Sequence, residues 1–183
     1  MNPLDTSLGY STNFLFVPGT RPERFAKALD SGASGVVLDL EDAVAEEDKV
    51  SARDAIRAAW PNFSAEQKKR LVIRTNSPGS KFYAADLILA QELQVACLLI
   101  PKSESLDQIN GAALILPSTA IIPMIETAVG LDNLKEIANS NQVIRLALGN
   151  LDLQADLGMV CDRQETELQT ARYQIVLASR LAQ

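Results

Sequence analysis

Strand-length apolar runs and helix-length amphipathic segments alternate about six times along this chain, with no low-complexity linker between them. That alternation is the pattern of a parallel α/β sheet or barrel. The apolar runs fall at residues 13–17, 35–42, 71–76, 96–100, 121–127 and 146–152. Between them lie helical patterns near residues 20–32, with Phe25, Ala28 and Leu29 inward, and near 49–60, with Val50, Ile56 and Trp60 inward. Further helices are expected near 82–93 and 103–113, after Leu131 and after Arg163. Thr20, Pro22 and Glu23 read as a capping box on the first helix, and Ser103 or Ser105 as a cap on the fourth. A full eightfold barrel takes about 250 residues. At 183 residues the chain is therefore either an open sheet or a barrel of about six units, read as one domain over residues 1–183.

In such folds, sites are built where strands end and helices begin. Two late strands each run into a carboxylate, Glu126 in Ile125-Glu126-Thr127 and Asp152 in Asn150-Leu151-Asp152. Brought side by side, they would offer two hard oxygen ligands, which suits Mg²⁺ with water and substrate in its other positions. A rim salt bridge to a nearby Arg or Lys is the alternative. Arg74 ends the third strand and is followed by Asn76, a pairing suited to gripping a carboxylate with two hydrogen bonds. It could instead pair with Glu41 or Glu126. Alternate spacing places Asp39 and Glu41 on one face of the second strand, and Lys102 could line the same mouth or pair with Asp39. Arg21 and Lys27, near the start of the first helix, could meet phosphates or simply form its solvated face.

Composition narrows the chemistry. There is no histidine, so no Ser-His-Asp triad, Cys-His pair or histidine-bound zinc can be built. Acid–base work falls to carboxylates, Lys, Tyr or a metal. The net charge of −6 argues against nucleic acid or an anionic membrane as the main partner. No apolar run approaches the ~18 residues of a membrane span, and no signal-peptide pattern opens the chain. Cys97 in an apolar run and Cys161 in a polar loop give no disulfide framework, which fits a cytoplasmic protein.

Taken in order, Leu15-Phe16-Val17-Pro18-Gly19-Thr20-Arg21-Pro22-Glu23-Arg24-Phe25, Leu38-Asp39-Leu40-Glu41-Asp42-Ala43-Val44, Val72-Ile73-Arg74-Thr75-Asn76, Pro101-Lys102, Ile125-Glu126-Thr127 and Gly149-Asn150-Leu151-Asp152 resemble the citrate lyase β-subunit branch of the HpcH/HpaI aldolase superfamily. The resemblance runs from about Phe14 through the last helix. It implies a TIM (β/α)8-barrel that binds Mg²⁺ through Glu126 and Asp152. It also implies that Arg74 contacts the substrate's carboxylate, that Phe16, Arg21 and Lys27 contact an acyl-CoA, and that the protein is a homo-oligomer, trimer or hexamer. The implied activity is cleavage of a carbon–carbon bond in a β-hydroxyacyl thioester of the citryl-CoA or malyl-CoA type. Asp42 stands where the pyruvate aldolases of the superfamily carry a catalytic His, so the thioester-lyase branch is favoured; Asp42 is a candidate base. A 2-keto acid aldolase and a non-catalytic metal- and CoA-binding protein are the alternatives.

Family members continue for about a hundred further residues, through the last two barrel units. The resemblance therefore implies a C-terminally shortened chain. Its first and sixth strands are expected to lack closing neighbours, and its Leu168–Ile175 stripe to lack partners. Expressed alone, such a chain is expected to pair its edges with another chain or dissolve poorly, and to lack turnover.

Overall fold

The structure is a computed structural model that describes residues 7–182. A short 3₁₀ turn, Ser7–Tyr10, precedes β1 (Phe14–Pro18), α1 (Phe25–Leu29), β2 (Gly35–Asp39), α2 (Lys49–Ala59) and α3 (Ala65–Lys68). Then come β3 (Leu71–Arg74), α4 (Tyr83–Leu93), β4 (Cys97–Ile100), α5 (Leu106–Ile115) and β5 (Ala120–Ile125). The chain continues through α6 (Ala128–Asp132), α7 (Leu134–Ala138), β6 (Ala147–Leu148), α8 (Asn150–Asp156) and α9 (Gln169–Leu181).

All neighbouring strands are parallel, and their order in the sheet is their order in the sequence. A doubly wound sheet reverses direction at a switch point, whereas a barrel keeps stepping the same way. The unbroken order is therefore barrel winding, carried through six of eight steps. β1 and β6 each have one neighbour among the described residues.

Residues in β2 through β5 are buried on both faces, the signature of a sheet with a layer on each side. Alternation sorts them. Val36, Leu38, Leu71, Ile73, Leu98, Ile100, Ile121 and Ile125 face the helices and form the main core with Phe25, Ile56, Leu89 and Ile109. Val37, Val72, Cys97, Leu99, Ala120, Ile122 and Met124 face the barrel interior. Leu8 plugs this interior, with Phe14, Ile144 and Ala147 packed against it. Arg145 helps fix the plug: its Nη1 donates to the carbonyl of Ser11 at 2.6 Å, and its guanidinium lies 5.2 Å from the Phe14 ring centre. Between β1 and β6 a cavity of about 310 Å³ opens, lined by Phe14, Phe16, Met124 and Ala147 among others. Gly35 is required where β2 passes β1, since a Cβ there would lie 2.6 Å from the Phe14 ring.

Several expectations change locally. No capping box forms at Thr20: a 3₁₀ turn, Pro22–Arg24, begins after Arg21 without a side-chain cap, because Glu23 bonds to the Arg21 guanidinium instead. Val50 is exposed, since Ala52 and Ile56, one turn apart, set the buried face of α2. Ser105, rather than Ser103, caps α5, in a reciprocal box with Gln108. The sixth apolar run gives only a two-residue strand, and Asp152 lies in the first turn of α8, not at a strand end. Gly149 breaks the strand early, and a carboxylate in a first turn suits the helix dipole. Leu168 and Ala171 do find partners, burying against Leu153, while Ile175 packs on the main core. Among the described residues no helix is long and apolar enough to cross a membrane.

Candidate functional site

The interior-facing series changes chemistry at the carboxyl ends of the strands. Below lie Val37, Val72, Leu99, Ile122 and Met124; above them, in the same facing positions, stand Asp39 and Glu41, Arg74, and Glu126. Period-two geometry thus turns an apolar barrel filling into a charged mouth.

Asp39 and Arg74 are register partners across β2 and β3. Asp39 is fully buried. Its Oδ1 accepts from Arg74 Nε at 2.7 Å and from the Glu41 N–H at 2.8 Å, and its Oδ2 from Arg74 Nη2 at 2.5 Å and the Ala43 N–H at 3.2 Å. Arg74 Nη1 lies 2.9 Å from Glu41 Oε2, but without the alignment of a hydrogen bond, and 3.4 Å from Asp42 Oδ2. The guanidinium sits 5.2 Å from the centre of the Phe16 ring, a cation–π contact on the half-open side of the mouth. Burial opposes the Arg74 charge, but hydrogen bonds to Asp39 and the charges of Asp39 and Glu41 outweigh it and raise its pKa. Burial raises the Glu41 pKa, with Arg74 opposing.

Glu126 and Asp152 meet at Lys102. The Lys102 Nζ lies 2.9 Å from Asp152 Oδ2, 3.2 Å from Glu41 Oε1 and 3.9 Å from Glu126 Oε1. The Lys102 backbone N–H donates to Glu126 Oε1 at 2.8 Å. Gly149 allows this packing. A Cβ at that position would stand 2.2 Å from Glu126 Oε2 and 2.7 Å from Glu126 Cβ. Burial pushes the Glu126 carboxyl up to about 7, with the Lys102 N–H and ammonium pulling against it. The Lys102 ammonium is penalised by burial, yet its bond to Asp152 and the charges of Glu41 and Glu126 raise its pKa. A Schiff-base lysine needs the opposite shift.

The structure therefore brings Arg74, Phe16, Glu126 and Asp152 into one mouth. Asp42 is exposed at its edge, in long contact with Arg74 and beside Glu41, whose pKa it helps raise. Arg21 and Lys27 lie outside the buried cluster, both exposed, with Arg21 paired to Glu23 at 2.6 Å. Asn76 does hold a carboxylate, but the protein's own. Its backbone N–H and Nδ2 both donate to Asp86 Oδ2 at 2.7 Å, and Asp86 Oδ1 accepts from Arg53 at 2.9 Å. Lys102 pairs with Glu41 and Asp152 rather than with Asp39, which Arg74 engages instead. Asp39 as the anchor of Arg74 follows from the β2–β3 register, which spacing along the chain does not fix. The role of Gly149 likewise carries no signal in the sequence.

Among the described residues, no three Asp, Glu or Cys side chains stand close enough to hold a metal unaided. Mg²⁺ needs fewer, since it keeps several waters and is bound by one or two carboxylates. Glu126 and Asp152, already converging on one cationic atom, fit that requirement. Five carboxylates (Asp39, Glu41, Asp42, Glu126 and Asp152) surround two cations, Arg74 and Lys102, in this mouth.

An incomplete TIM barrel with a charged carboxyl-end mouth is thus the class that fold and site define. Residues 13–183 match the family described as HpcH/HpaI aldolase/citrate lyase, and the chain belongs to it. A citrate lyase subunit beta-like protein of Mycobacterium tuberculosis is 37% identical over 145 residues, 79% of this chain and 50% of that protein. A (3S)-malyl-CoA thioesterase of Cereibacter sphaeroides is 30% identical over 166 residues, 91% of this chain and 58% of that one. The crystal structure of CitE from Mycobacterium tuberculosis with magnesium, acetoacetate and coenzyme A superposes with a TM-score of 0.83 at 32% identity, covering 95% of this chain and 64% of that one. The chain spans half to three-fifths of the length of these two curated relatives.

Proposed function

We propose that this chain carries the metal-binding mouth of a Mg²⁺-dependent carbon–carbon lyase acting on a β-hydroxyacyl thioester of the malyl-CoA or citryl-CoA type. The observation that carries this reading is the convergence of Glu126 and Asp152 on one cation position, beside an arginine pinned to the sheet. A magnesium- and coenzyme-A-bound relative, and another named for malyl-CoA, support the choice of metal and thioester.

Glu126 and Asp152 would hold the ion, which when bound supplies Lewis-acid polarisation of substrate oxygens. Asp39 holds Arg74 rigidly from below through Nε and Nη2, leaving Nη1, with only a long bond to Asp42 and a misaligned contact to Glu41, as the donor for a substrate carboxylate. Such fixing spends binding energy on alignment of the reacting centre. Phe16 closes one side of the mouth with its ring. Arg21 and Lys27, exposed after β1, are proposed to meet the carrier's phosphates. As a base takes the substrate's hydroxyl proton, the bond between the carbinol carbon and the carbon next to the thioester breaks. The carbinol becomes the carbonyl of a keto acid, and the bonding pair leaves as a thioester enolate, which then takes up a proton. Asp42, at the solvent edge, is the candidate for moving protons, and a homo-oligomer is the proposed assembly.

The test is release of keto acid from malyl-CoA and citryl-CoA by the purified protein, with and without Mg²⁺, in the wild type and in Arg74→Met. Metal-dependent release that Arg74→Met abolishes supports the reading. Release that neither chelator nor Arg74→Met affects contradicts it.

A further inference from the structure

We propose that the Lys102 ammonium is the site's own resident cation, occupying the metal position and competing with Mg²⁺ for Asp152 and Glu126. The inference rests on the metal-site reading above and adds to it a residue that sets the affinity.

The geometry is specific. Nζ lies 2.9 Å from Asp152, 3.2 Å from Glu41 and 3.9 Å from Glu126, so it fills the space between the two carboxylates that would hold the ion. A divalent ion and an ammonium cannot share these oxygens at such distances, because like charges a few ångströms apart repel strongly in a partly buried mouth. The backbone at Lys102 is held in the left-handed region, φ +47°, a conformation that L side chains disfavour. That turn aims the Lys102 N–H at Glu126 Oε1 and sends the side chain across the mouth. The two functions are separable. When the ammonium leaves, the backbone N–H still orients Glu126 for the ion.

An exit also exists. The side chains of Lys102 and Asp152 are 39% and 41% exposed, so a displaced ammonium can swing to water while Glu126, at 3%, stays fixed. The mouth therefore has two states, ammonium in or divalent ion in. Apparent metal affinity is reduced by the fraction of time the position is open. An ammonium that fills it about nine-tenths of the time weakens binding about tenfold.

The test is a calorimetric Mg²⁺ titration of the wild type, Lys102→Met and Lys102→Gln, with thermal melts in chelator and in Mg²⁺. Both variants should bind Mg²⁺ about tenfold or more tightly than the wild type. They should also melt lower in chelator, where the carboxylates lose their partner, and recover in Mg²⁺. In the wild type, acetylation of Lys102 by a small amine-reactive reagent, read by mass spectrometry, should accelerate as Mg²⁺ saturates. This arm decides alone if the variants do not fold. Equal or weaker Mg²⁺ binding in folded variants overturns the proposal. So does Lys102 labelling that Mg²⁺ leaves unchanged or slows in a wild type that binds the ion, even if the variants bind more tightly through lost repulsion. A wild type that binds no Mg²⁺, or binds it equally well after Glu126→Gln and Asp152→Asn, removes the metal site itself and this inference with it.

Discussion

Arg74 and Asp39 are adjacent across the β2–β3 ladder, and their side chains form a two-pronged ion pair at 2.5 and 2.7 Å with Asp39 wholly buried. Asp39 accepts two backbone N–H bonds as well, from Glu41 and Ala43. One carboxylate thus anchors the arginine and shapes the loop that carries Glu41 and Asp42.

Removing one partner of a buried ion pair costs about 3–5 kcal/mol, because the other charge is left uncompensated. Asp39→Ala should therefore lower the unfolding free energy by about 3 kcal/mol or more, read from the urea midpoint. Asp42→Ala, which removes one exposed carboxylate at 3.4 Å, should change it by less than about 1 kcal/mol. Equal effects would show that the buried anchor has no special weight.

Gly149→Ala tests how the chain packs β6 onto Glu126. The new Cβ would meet Glu126 Oε2 at 2.2 Å and Glu126 Cβ at 2.7 Å, too close to be relieved by moving the carboxylate tip alone. Overpacking of this kind costs about 1–3 kcal/mol, so the protein should remain folded. Its Mg²⁺ affinity should fall about tenfold through displacement of Glu126. Unchanged affinity in a folded Gly149→Ala protein would mean that Glu126 is not held for the metal.

The two thiols should behave differently. Cys97 is fully buried in β4, and burial drives its pKa up. Cys161 is half-exposed, its pKa also raised, by desolvation and by neighbouring Glu167. The thiolate is the reactive form. A disulfide reagent at mildly alkaline pH should therefore titrate one thiol slowly in the native protein and two in denaturant. Two thiols reacting at the same rate in the native protein would contradict the closed interior around Cys97.

Much of this architecture is legible in the sequence because period-two burial is a strong signal. The runs around Val72 and Ile121 are apolar and buried on both faces, and Arg74 and Glu126 fall where those runs stop. The early break at Gly149 is not legible. A strand of two residues followed at once by a helix depends on the close approach of Gly149 to Glu126, a tertiary fact, and it moves Asp152 into α8. From the sequence, Arg74 is expected to grip a substrate carboxylate or to pair with Glu41 or Glu126. The dominant partner, Asp39, follows from strand register, which spacing along the chain does not fix. The convergence of Lys102 on Asp152 joins residues fifty positions apart and depends on the left-handed turn at Lys102.

The most direct measurement is Mg²⁺ binding by isothermal titration to the wild type, Glu126→Gln and Asp152→Asn, with each variant's fold checked by circular dichroism. Each substitution removes a carboxylate charge from a hard cation while keeping the side chain's shape. Both variants should fold, and each should bind Mg²⁺ about tenfold or more weakly than the wild type. Folded variants that bind Mg²⁺ with wild-type affinity would contradict the metal site.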